Sequence, residues 1–155
     1  MANTTKVPMS SPDLNDTDRQ TVMDVLNTPI LSMGHYVQDF EQAFCDWTGA
    51  RYAIAVNSGT AGLHLCVRAA GIGPGDLVIT TPFSFVASTN ALLFENAVPL
   101  FVDIDPRTGN IDPELVVDAA RNVTHYLPPK LRHKPYGSLK AILPVDVFGQ
   151  PADLD

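Results

Sequence analysis

A chain of 155 residues, 45% of them hydrophobic, is long enough for one domain with a real core. Its formal net charge of −7 argues against a general nucleic-acid binder and leaves room only for a local basic patch. No apolar run reaches the ~18–20 residues of a membrane span, and Met1-Ala-Asn-Thr-Thr-Lys6 lacks the apolar core of a signal peptide. Two cysteines make neither a metal site nor a disulfide framework, so Cys45 and Cys66, both inside predicted helices, read as small buried hydrophobes. A soluble cytoplasmic protein without a metal is the expectation.

Residues 1–12 read as a loose arm. Asp16 or Thr17 can cap a helix over about 17–27, with Val22, Val25 and Leu26 on one face. A second helix over 35–48 carries Val37, Phe40, Phe44 and Trp47 at helical spacing, a stripe expected to pack in the core, and Gly49 is placed to end it. Tyr52 to Val56 is a short apolar run with strand character, Asn57-Ser58-Gly59 is turn chemistry, and Leu63, Cys66, Val67 and Ala70 lie on one face of a helix over 60–70. The junction therefore sets a helix N-terminus at the carboxyl end of a strand. Free backbone N–H groups and the positive end of the helix dipole converge there and suit a phosphate group. The same residues also suit an ordinary βα turn capped by Ser58 or Thr60.

Gly71-Ile-Gly-Pro-Gly-Asp76 is a turn cluster. Its glycines superficially resemble a dinucleotide fingerprint, but they follow a helix instead of a strand and lack the third glycine spacing. Leu77–Thr80 reads as a strand, 84–95 as a helix, Pro99–Val102 as a strand and Asp105–Gly109 as a turn. Asp112-Pro113-Glu114 combines a cap, a proline at the first helical position and an acid in the first turn, opening a helix to about Asn122. Lys140–Val145 is a further strand. Strands alternating with helices predict an α/β fold with a largely parallel sheet and helices on both faces.

Two stretches break the regularity. Segment 123–138 is basic and rich in proline, and reads as an irregular, solvated loop. After strand 140–145 the chain runs into Asp146-Val-Phe-Gly-Gln-Pro151, and Asp153 resembles the cap of a helix that does not follow. Parallel sheets are normally covered on both faces, so the expectation is the front part of a longer protein. Its exposed apolar sheet faces would make the isolated chain poorly soluble or partly folded.

Seven ordered blocks resemble the DegT-type nucleotide-sugar aminotransferases over about residues 8–155. They are Leu31-Ser-Met-Gly34, Val37-Gln-Asp-Phe-Glu41, Ala55-Val-Asn-Ser-Gly-Thr-Ala61, Gly73-Pro-Gly-Asp76, Thr81-Pro-Phe-Ser-Phe-Val-Ala-Ser-Thr-Asn90, Phe101-Val-Asp-Ile-Asp105 and Pro144-Val-Asp-Val-Phe-Gly-Gln-Pro-Ala-Asp153. The resemblance implies pyridoxal 5'-phosphate (PLP) as cofactor. Gly59 and Thr60, with Ser58 beside them, would hold its phosphate, and Phe85 would stack on its ring. Phe83 is left to the core, and Asn57, Asp103 and Asp105 to turns and caps. Asp146 stands where the family usually has histidine.

The resemblance also implies a domain plan: an N-terminal arm and helix over 1–34, then a partial PLP-binding large domain over 35–155. The implied reaction moves an amino group from an amino acid, glutamate by analogy, to a nucleotide-linked keto-sugar in amino-sugar biosynthesis. The implied assembly is a homodimer. The cofactor-linking lysine and the carboxylate against the pyridine nitrogen lie beyond this sequence in the family, so no catalytic residue is assigned here. The alternatives are a PLP-dependent sugar deoxygenase (dehydratase) of the same family and a non-catalytic fragment.

Overall fold

The computed structural model describes residue 8 and residues 10–154, so most of the expected arm lies outside the described residues. The chain divides into two compact units, Met1–Ala55 and Val56–Asp155.

The first unit holds α1 (Asp16–Leu26) and α2 (His35–Thr48). Asn15, one residue before the expected cap, accepts the N–H groups of Thr17 (2.8 Å) and Asp18 (3.1 Å). The Asp18 carboxylate accepts the Asn15 N–H in return, closing a capping box. Gly49 ends α2 as expected: at φ 73° it turns left-handed, and its N–H donates to the Cys45 carbonyl at 2.8 Å. The α2 stripe departs from expectation. Phe40, Phe44 and Trp47 form a ladder of rings with centroids 6.2 and 6.0 Å apart, yet all three are exposed, Trp47 by 82%. Helical spacing gathers the rings on one face, but burial also needs an opposing surface.

Tyr52–Val56 is a second correction. It joins no β-ladder among the described residues, and the Ala55 N–H donates instead to the Glu41 carboxylate at 2.7 Å. A strand exists only through partners, and an apolar run does not supply them.

The second unit opens with α3 (Gly59–Ala69) and continues through β1 (Leu77–Thr80), α4 (Ala87–Phe94), β2 (Val98–Phe101), α5 (Pro113–Arg121), α6 (Val123–Tyr126) and β3 (Leu139–Leu143). The sheet is parallel, in the order β2-β1-β3. Leu77 and Ile79 pack on one side with Leu100, Ala119 and Leu127, partly buried residues of α5 and α6 closing around them. Val78 packs on the other side with Val67 of α3 and Ala91 and Leu92 of α4. Every β1 residue is buried, as a central parallel strand requires. Between Leu77 and Val78 the register to β3 slips by one residue: Leu77 pairs with Leu139, and Val78 with Ala141. The bulge keeps Leu139 with the α5–α6 core while sending Ala141 and Leu143 to the α3–α4 core.

Smaller departures follow from local chemistry. The helix expected over 84–95 begins only at Ala87. The basic loop contains the single turn α6. Cys45 is half-buried and Cys66 exposed, since Cys66 falls on the outer edge of the α3 stripe.

Candidate functional site

At the opening of α3, Ser58 is extended (φ −164°, ψ 158°) and its Oγ accepts the Ala61 N–H at 3.2 Å. Its carbonyl accepts the Gly62 N–H at 3.1 Å. The next two donors, the N–H groups of Gly59 and Thr60, meet no acceptor among the described residues. The first turn of α3 carries no acid, and a Cβ built on Gly59 would meet nothing within 4 Å. Two unspent donors at the positive end of a helix, with open space in front, fit a phosphate group. Ser58 thus has the capping role.

A cleft of about 360 Å³ lies at the carboxyl ends of β1 and β3. It is lined by Pro82, Phe83, Ser84 and Phe85 after β1, and by Val145, Asp146, Val147 and Phe148 after β3. The chain leaves β1 for β2 on one side of the sheet and returns to β3 on the other. The crevice between β1 and β3 is therefore a topological switch point, where open α/β sheets take ligands. Its walls are aromatic and accessible: Phe85 is 78% exposed, Phe148 is 98% exposed, and Phe83 stands edge-on to Phe148 with centroids 6.5 Å apart. Such faces fit a flat heteroaromatic ring.

The structure places Phe85 in this cleft; Ser58, Gly59 and Thr60 do not line it. Phe83, expected in the core, is half exposed on the cleft wall, because the turn after β1 carries it out of the sheet. The α3 helix that presents the turn packs on α4, the helix following Phe85. Their packing is reinforced by His64 Nε2 against Glu95 Oε1 at 2.6 Å and by Arg68 at 3.5 Å from the same oxygen. Asp103 and Asp105 serve turns as expected. Asp103 accepts the N–H of Ile104, and Asp105 accepts both the backbone N–H and the guanidinium of Arg107. The Arg107 side-chain bond holds the Asp105 carboxyl below its usual range.

Sequence reasoning missed Phe148, which adopts φ 53° and ψ 25°, and Asn110, a buried carboxamide bonded to the chain after β3. No signal in the local sequence marks either. Among the described residues no group of three or more His, Cys, Asp or Glu side chains could hold a metal, and no helix is long and apolar enough to cross a membrane.

The chain is similar to known proteins in sequence and in fold. The chain is 36% identical over 156 residues to GDP-perosamine synthase of Caulobacter vibrioides, covering 100% of this chain and 38% of that protein. It is 40% identical over 149 residues to the spore coat polysaccharide biosynthesis protein SpsC of Bacillus subtilis, covering 96% of this chain and 34% of that one. The chain thus spans little more than a third of the length of these relatives. Among solved structures, NtdA of Bacillus subtilis with bound cofactor PMP superposes with a TM-score of 0.70 at 29% identity, over 90% of this chain and 30% of that one. Another solved neighbour, a putative sugar aminotransferase of Streptococcus pneumoniae, was captured in PLP and PMP forms. Residues 12–155 match the profile of the DegT/DnrJ/EryC1/StrS aminotransferase family, so the chain belongs to that family, whose cofactor is pyridoxal phosphate.

Proposed function

We propose that this chain supplies the cofactor-binding front of an enzyme that transfers an amino group from an amino acid, glutamate by family resemblance, to a nucleotide-linked keto-sugar. The relatives' names support amino-sugar and polysaccharide biosynthesis. The observation that carries the reading is the pair of unspent N–H groups at Gly59 and Thr60. In this reading they bind the phosphate with the hydroxyls of Thr60 and Ser58, while Phe85 covers one face of the ring and keeps water from it. Bound pyridoxal phosphate supplies an electron sink for charge developing on the carbon next to the amino group. The domain plan, arm over 1–34 and large domain over 35–155, belongs to the same proposal, as do homodimeric assembly and a cytoplasmic setting.

Gly59→Pro is the cleanest test. Proline at the first helical position keeps the helix, the extended Ser58 tolerates a following proline, and one phosphate donor disappears. A spectroscopic titration should show PLP affinity falling about tenfold, the worth of one charge-assisted bond. Phe85→Ala should weaken it by a similar factor. A wild-type chain that binds PLP no better than the Gly59→Pro, Phe85→Ala double variant would sink the reading.

A further inference from the structure

Asn110 is only 3% exposed, and its carboxamide is spent across some 40 residues of sequence. Both Nδ2 protons are donated to main-chain carbonyls, Gln150 O at 2.9 Å and Pro151 O at 2.8 Å, while Oδ1 accepts the Val147 N–H at 3.2 Å. Two carbonyls and one N–H admit only this orientation of the amide. The amide is mounted on a stiff frame: the Asn110 carbonyl accepts the Asp105 N–H at 2.9 Å, and the neighbouring Ile111 is buried in the core and bridged to Ile104.

The segment so held is the β3 wall of the cleft. Within it Asp146 Oδ1 accepts the Ala152 N–H at 2.9 Å, and the Asp146 carbonyl accepts the Gly149 N–H at 3.1 Å. Between these bonds Phe148 is bent into the left-handed region (φ 53°), a conformation that costs a bulky side chain energy. Its own packing recovers little of that cost, since the ring is almost wholly exposed at the cleft and meets only the edge-on Phe83 ring there. The surrounding bonds must therefore impose the bend, and Asn110 makes three of them from outside the segment.

We propose that Asn110 is a positioning residue, clamping segment 146–151 in the bent form that presents Asp146 and Phe148 to the cleft. The proposal rests on the reading of this cleft as the place of the cofactor ring, and its test separates the two. In the wild-type protein without cofactor, amide hydrogen exchange across 146–152 should be slower than across the loop 130–136. Asn110→Ala should speed exchange in 146–152 about tenfold, the scale of a lost neutral hydrogen bond, while β1 stays protected. Asn110→Asp, which sets a carboxylate against two carbonyl oxygens, should speed it more. Both variants should weaken PLP binding about tenfold or more, in proportion to the loosening.

Exchange in wild-type 146–152 as fast as in 130–136 overturns the clamp without any variant having to fold. Loosened exchange with unchanged PLP affinity reduces Asn110 to a structural tie and overturns the positioning role. A wild type that binds no PLP refutes the proposed function instead, and the exchange pattern alone then decides the clamp.

Discussion

Helices α3 and α5 open with the same device and end with opposite capacities. At α5 the Asp112 side chain accepts the N–H groups of Glu114 (2.8 Å) and Leu115 (3.3 Å), its carbonyl accepts Val116, and Pro113 has no N–H to offer. Every donor is spent, and Glu114 adds a negative charge to the first turn. At α3 the smaller, neutral Ser58 satisfies Ala61 and Gly62 but leaves Gly59 and Thr60 unspent, with no acid nearby in the turn. Both are well-capped helices in the sense that their chain direction is fixed. Only α3 retains the donors and the uncompensated dipole that an anion needs. Cap chemistry therefore separates a helix start whose donors are all spent from one that keeps two of them open.

The comparison breaks most sharply if the α5 device is moved to α3. Ser58→Asp keeps a good N-cap, so the helix should survive. Its carboxylate would compete for the free donors and sit within a few ångströms of an incoming phosphate. Repulsion between such neighbours at a protein surface is worth a few kcal/mol, so PLP affinity should fall about a hundredfold, roughly 2.7 kcal/mol. Isothermal titration with PLP checks this, and an affinity unchanged by the substitution would mean that the phosphate binds elsewhere. The reverse change is smaller and of another kind. Asp112→Ala should leave PLP binding intact and lower stability by about 1 kcal/mol, read from denaturant melts, because two donors at the start of α5 lose their acceptor.

What could be read from the sequence divides along the same line between local and distant causes. Leu77–Thr80 is a strand to the residue, and Gly49, Ser58 and Asp112 act at helix ends as their local chemistry dictates. The capped turn at Ser58-Gly59 was legible through local chemistry, and the fold class through alternating patterns and resemblance. Tyr52–Val56 failed as a strand because pairing depends on a partner, and the α2 ring stripe stayed exposed because burial depends on an opposing surface. Asn110 was invisible because its partners lie at 147, 150 and 151, and nothing in Gly109-Asn110-Ile111 announces them. Phe148 was unreadable for a related reason: an aromatic residue does not predict a positive φ, and the bend is imposed from outside.

The far end of α5 sharpens the contrast with the least effect. An acid near a helix C-terminus opposes the dipole, yet Asp118 stands one turn from the end of α5. It is tolerated because Tyr126 Oη donates to it at 2.7 Å and Asn122 Nδ2 at 2.7 Å. The Tyr126 bond, then the Asn122 bond, hold the Asp118 carboxyl below its ordinary range, while Asp118 holds the Tyr126 phenol above its own. The signs set a window. A depressed carboxyl contributes stability above its unfolded pKa of about 3.9, lost as pH falls through the lower folded value. A raised phenol contributes stability below its unfolded pKa of about 10, lost as pH rises through the higher folded value. Tyr126→Phe should therefore cost a small amount of stability between about pH 4 and pH 10 and converge on wild type outside that window. Asp118 is solvent-exposed although Tyr126 is half-buried, so the difference should also shrink with added salt. A loss equally large at pH 2 would show that the tyrosine acts by packing alone, and that the end of α5 needs no donor to hold its acid.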